Sequence, residues 1–202
     1  MSDQNQTLRD DIAFLRGLAE AGREQPMAGG SILLATGLIF GAASLLVWVG
    51  ATMLAMKPAA YGLIWVGALA VDVAVLAILL RRVPRAVAGG PATAGMAWSY
   101  LGWSIFVMGA SVSVAGWRLG IPNLMLVFPS VLMALYGAGW LIAAFVTRQG
   151  WLKAVGYGSF AMSLVNAWFA DGPAIWLVYG ASLLLLLALP GLLVMRQGRK
   201  AA

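Results

Sequence analysis

Six apolar stretches, each about 20 residues long, follow one another along this chain, and the loops between them are too short to hold a folded domain. They cover 31–55, 59–80, 94–116, 123–146, 151–170 and 174–195. The hydrocarbon core of a bilayer is about 30 Å thick, and a helix rising about 1.5 Å per residue crosses it in about 20 residues. Lipid offers the backbone no hydrogen-bond partner, so an almost wholly apolar stretch of that length must satisfy its own N–H and C=O groups as a helix. Composition agrees. Of the 202 residues 62% are hydrophobic and 10% charged, whereas a soluble domain carries about 25% charged residues. The expected fold is all-α, an integral membrane bundle of six transmembrane helices preceded by a short amphipathic cytoplasmic helix. It divides into an N-terminal segment, 1–26, and a transmembrane domain, 27–202. The first apolar stretch is too long for a signal-peptide core and follows mixed-charge residues rather than a short basic leader, so no cleavage is expected.

The chain has no Cys and no His. That removes thiolate and imidazole ligands, disulfides and most nucleophile–base pairs, so neither a metal nor another cofactor is expected, and no enzyme. The net charge of +6 does not point to nucleic acid, because the basic residues cluster at the ends of the apolar stretches. There they set orientation. Arg9, Arg16, Arg23, Arg81, Arg82, Arg85, Arg148, Lys153, Arg196, Arg199 and Lys200 make up eleven of the 13 basic residues and fall on one side, with Lys57 and Arg118 on the other. Cytoplasmic loops carry the excess of Lys and Arg, so both termini are expected in the cytoplasm of a bacterial inner membrane. Trp48, Tyr61, Trp65, Trp117, Trp168 and Trp176 then lie near the outer ends of their helices, at headgroup level.

Residues 8–24 carry the pattern of a short amphipathic helix. Thr7 and Asp10 fit a capping box, and Ile12, Leu15, Leu18 and Ala19 recur at helical spacing, with Phe14 beside them, opposite a charged side. Pro26 and Gly29-Gly30 end the pattern. The tail holds more Asp and Glu than Arg, and anionic headgroups would repel it. The face Ile12, Phe14, Leu15 and Leu18 is therefore a candidate docking surface for a protein partner, with an interfacial anchor as the alternative. The run from Asp11 to Glu20, followed by Pro26-Met27, Gly29-Gly30 and a first span, resembles the opening of small bacterial polytopic inner-membrane proteins of uncharacterised activity. Some of these accompany small winged-helix regulators, so the resemblance implies an inner-membrane protein with a cytoplasmic contact, and it assigns no functional residue.

Glycine marks candidate packing faces. Gly95, Gly102, Gly109 and Gly116 recur every seven residues, and Gly37 and Gly41 form a GxxxG pair. Stripes without side chains let helix backbones approach closely, within one chain or against a second copy of it. Phe40-Gly41, Tyr61-Gly62 and Lys57 recur as Tyr136-Gly137, Tyr157-Gly158 and Lys153, an offset of 96 that would relate helices one to three to helices four to six as inverted repeats. Pro129 and Pro190 fall inside the fourth and sixth stretches and predict bends.

Asp72 is the one ionisable group at depth. It sits mid-way along the second stretch, and such groups usually face the bundle interior or a watery cavity. It lies about 4 Å to the cytoplasmic side of the midplane, while Asn166 lies about 8 Å to the other side and is out of direct reach. Ser104, Tyr136, Tyr157 and Ser159 fall at nearer depths, and their hydroxyls are candidate partners for its carboxyl. Two functions from different classes follow. One is an accessory, regulatory or sensory membrane protein that docks a partner through residues 8–24. The other is a small secondary transporter or channel with Asp72 as its proton- or ion-coupling residue.

Overall fold

The computed structural model describes residues 11–14, 17, 29–82 and 90–201, and the regular structure in them is helical. The order is α1 (Gly30–Thr52), α2 (Pro58–Arg82), α3 (Gly90–Leu119), a 3-10 segment (Pro122–Val127), α4 (Phe128–Thr147), α5 (Trp151–Trp168), α6 (Ala174–Leu183) and α7 (Leu189–Ala201). A π-helical turn, Leu184–Ala188, joins α6 to α7. Among the described residues five units are long and apolar enough to cross a membrane: α1, α2, α3, the 3-10 segment with α4, and α6 with α7. The expected count was six. The difference is α5, whose 18 residues include Lys153, Ser159, Ser163 and Asn166. Of the expected N-terminal helix, residues 11–14 and 17 are helical.

The helices are not equally buried. α1, α4, α5, α6 and α7 form the centre, where Val47, Met133, Trp140, Leu152, Leu183 and Leu187 are fully enclosed. α2 packs chiefly on α1, and α3 on α4 and the 3-10 segment. Almost no residue of either is fully buried along its most apolar stretch. Leu63, Val66, Trp103 and Phe106 project outward there. Such a surface suits hydrocarbon rather than water.

Close approach in the centre depends on glycine. On α1, a Cβ at Gly37 would stand 2.6 Å from the Ala188 nitrogen, and one at Gly30 would stand 2.7 Å from the Gly191 carbonyl oxygen. Gly41 faces Leu184 and Gly180, so α1 lies backbone to backbone along α6, the π turn and α7. Gly137 of α4 meets Phe160 and Gly156 of α5 in the same way. The α3 stripe divides. Gly109 and Gly116 pack against Phe128, Ile121 and Leu124, while a Cβ at Gly95 or Gly102 would have nothing within 4 Å. Gly41 and Gly137, equivalent under the offset of 96, therefore have inequivalent partners: one faces α6, the other α5.

The two prolines act differently from each other. Pro129 lies where one candidate span changes from 3-10 to α-helix. It occupies the first turn of α4, directly after the 3-10 segment, the helix position that best tolerates proline. Pro190 does interrupt a ladder. It offers no N–H to the Leu186 carbonyl four residues back, and its ring crowds that carbonyl. The helix widens into the π turn just before it. Trp140 of α4 supplies the missing donor, with Nε1 donating to the Leu186 oxygen at 2.9 Å.

Candidate functional site

Asp72 lies on α2 and is half-buried against α1. α1 and α2 are joined by the short loop 53–57, so they must run antiparallel, which brings Thr36 to the level of Asp72. The Thr36 Oγ1 donates to Asp72 Oδ1 at 2.9 Å. A hydroxyl donor of this kind suits both the carboxylate and the carboxylic acid, because the oxygen it bonds accepts in either form. The Tyr136 hydroxyl, on α4, lies within the electrostatic field of Asp72, and Tyr179, on α6, within that of Tyr136. Tyr136 and Tyr179 are 8% and 4% exposed, so both rings belong to the interior.

Two aromatic groups pack between the helices. Trp65 of α2 stacks with Phe40 of α1 at a centroid distance of 6.2 Å, and it meets Trp176 and Tyr179 of α6 at 5.4 and 6.4 Å. Trp98 of α3 meets Tyr136 and Trp140 of α4 at 6.2 and 4.9 Å. The Trp98 Nε1–H is buried and has no acceptor among the described residues.

The other residues predicted around Asp72 lie elsewhere. Ser104 is exposed on α3 and donates to the Tyr100 carbonyl of its own helix. Ser159 is fully buried on α5 and donates to the Val155 carbonyl. Tyr157 is 63% exposed on the outer surface of α5. Of the four candidates, only Tyr136 is brought near Asp72, and the direct partner is Thr36. On the N-terminal face, Ile12 and Phe14 are 59% and 68% exposed, whereas Leu15 and Leu18 lie outside the described residues.

A second polar cluster ties α4, α5 and α6 together. Ser130 and Ser163 each donate to the other's backbone carbonyl at 2.8 Å. Asn166 is fully buried. Its Nδ2 donates to the Met162 carbonyl and to the Ser182 hydroxyl, while its Oδ1 has no partner. Sequence reasoning named Asn166 only to exclude it, and it passed over Ser130, Ser163 and Ser182. Single Ser residues inside an apolar helix carry little signal, because each can bond its own preceding turn, as Ser99 and Ser104 do here.

Compared with family models, curated proteins and solved structures, the chain matches none.

Proposed function

We propose that the chain is a non-enzymatic, six-span protein of a bacterial inner membrane with both termini cytoplasmic, and that it serves as a small secondary transporter or channel in which Asp72 carries the proton or cation. The observation that carries this reading is the Thr36–Asp72 hydrogen bond between α1 and α2. A carboxyl at membrane depth is costly, and such groups commonly mark ion pathways and proton relays. A transporter needs several polar groups at depth. Besides Asp72 and Thr36, the interior holds Tyr136, Tyr179, Asn166, Ser182 and the Ser130–Ser163 pair. The sixth crossing is α5, since 18 residues of helix measure about 27 Å, close to the thickness of the hydrocarbon core.

The accessory reading keeps one observation in its favour, the exposed Ile12 and Phe14 on a helical stretch. Reconstitution into liposomes decides between the two. With a potassium diffusion potential imposed and an internal pH dye, wild-type protein should pass protons faster than empty liposomes, Asp72→Asn should fall to the empty-liposome rate, and Asp72→Glu should retain flux. Equal flux in wild type and Asp72→Asn sinks the transport reading. So does a folded wild type with no flux, and in that case the function passes to the N-terminal segment.

A further inference from the structure

We propose that the outer face of α3 holds one anionic phospholipid, with its phosphate on Arg118 and an acyl chain along the groove beneath it; this rests on α3 crossing the bilayer and is independent of the reading of Asp72. The groove is open, has a volume of about 650 Å³ and is lined by α3 residues between Phe106 and Leu119. At about 100° per residue, Val107, Ser111 and Arg118 fall on the side of the helix opposite Gly109 and Gly116. Those two glycines pack against Phe128, Ile121 and Leu124. The groove therefore turns away from the bundle and towards the bilayer.

Its length and shape match a lipid tail. From Phe106 to Arg118 the helix rises about 18 Å, and the hydrocarbon of one leaflet is about 15 Å thick. Ala110, Ser111 and Ala115 make a low floor, with the larger Phe106 and Val107 at its inner end. A chain that reaches from the headgroups to the midplane fills such a groove and covers Phe106 and Val107, both exposed.

Charge selects the headgroup. Arg118 stands exposed in the last turn of α3, at the end of the span. Among the described residues no carboxylate pairs with it. A guanidinium is always charged, and its fork of N–H donors matches phosphate oxygens. The neighbouring Trp117 is exposed as well, an indole at headgroup level. A zwitterionic lipid would bring its own cation to the same place, which favours a headgroup with net negative charge. The same charge disfavours a second copy of the chain as the occupant. Copies in one membrane share an orientation, so two of these faces meeting about a two-fold axis would set Arg118 against Arg118 at one depth.

The test is native mass spectrometry of full-length protein released from nanodiscs made of equal parts palmitoyl-oleoyl phosphatidylglycerol and palmitoyl-oleoyl phosphatidylcholine. The two lipids share their tails and differ in the headgroup. Wild type should retain one phosphatidylglycerol per chain, about fivefold over phosphatidylcholine, the effect of one basic residue on an anionic headgroup. Arg118→Gln should bring that ratio to unity, and Arg118→Lys should keep it, since an ammonium also binds phosphate. Ser111→Phe fills the groove without altering charge and should lower retention of both lipids. Lys57→Gln removes the other basic residue predicted on the side of Arg118 and should change neither retention nor ratio. All three positions are exposed, so the variants should fold, and monodisperse elution checks this. Equal retention of the two lipids by wild type, an unchanged ratio in Arg118→Gln, or the same loss in Lys57→Gln overturns the proposal. So does a lipid-free dimer that Ser111→Phe breaks, which would assign the groove to a second copy.

Discussion

Leu186 carries a carbonyl that lacks its α-helical donor, because Pro190 stands where that N–H should be. Trp140 Nε1 satisfies it from the neighbouring helix. Removing that donor leaves a buried acceptor unpaired, which costs about 1–3 kcal/mol. Trp140→Phe should therefore lower stability in detergent unfolding by about that amount, beyond any packing loss. The penalty should shrink when Pro190→Ala restores the N–H, since coupled groups are not additive. An equal penalty in both backgrounds would mean that the hydrogen bond contributes nothing. Pro190 was legible in the sequence as a break, but its remedy was not, because a free carbonyl does not say which neighbour will fill it. Asp72 is a similar case. Its depth and isolation could be read from the chain. Its partner could not, because which α1 residue faces it depends on how two helices rotate against each other. Thr36 is 36 positions away, and no local pattern links the two.

The central helices are set by backbone contact more than by side-chain volume. Gly30, Gly37 and Gly41 of α1 run along Gly191, Ala188 and Gly180, and Gly137 of α4 meets Gly156 of α5. Lipid tails are as apolar as leucine, so helices in a bilayer gain little by hiding apolar surface from them and associate through close packing instead. A methyl group at Gly37 would overlap the Ala188 backbone, whereas one at Gly102 would meet open space. Gly37→Ala should therefore destabilise the bundle by about 1–3 kcal/mol, the usual cost of overpacking. Gly102→Ala should be neutral or stabilising by up to about 1 kcal/mol, from helix propensity alone. Comparing the unfolding midpoints of the two variants checks this, and the opposite order would show that α1 is not held where described. The GxxxG pair on α1 was visible in the sequence. The seven-residue stripe on α3 was visible too, but only half of it touches a helix. A heptad spacing drifts by about 20° per repeat on a straight helix. Gly109 and Gly116 face the start of α4 and the 3-10 segment, whereas α4 meets the other half of α3 through Trp98 and Leu101, and Gly95 and Gly102 turn away. The glycines on α4, α5, α6 and α7 gave no signal, because a close approach is a property of two helices.

At the level of the molecule, fold class was legible from length and hydropathy alone, since only helices can bury such stretches in lipid. The number of crossings was less so. α5 is short, and its Lys153 and Asn166 lower its hydropathy, although Asn166 is wholly enclosed by the bundle. A helix whose polar groups face its neighbours can cross without reading as apolar, and that is the place assigned to α5. The position of Asp72 inside the bilayer, the orientation of the termini and the flux proposed for the chain all rest on six crossings rather than five. The absence of native cysteine makes single-cysteine labelling direct. A membrane-impermeant maleimide applied to intact cells should label Leu54→Cys and Asp171→Cys, and it should leave Gly150→Cys unlabelled until the cells are opened. If α5 does not cross, positions 150 and 171 lie on one side, and identical labelling at both would contradict the six-span arrangement.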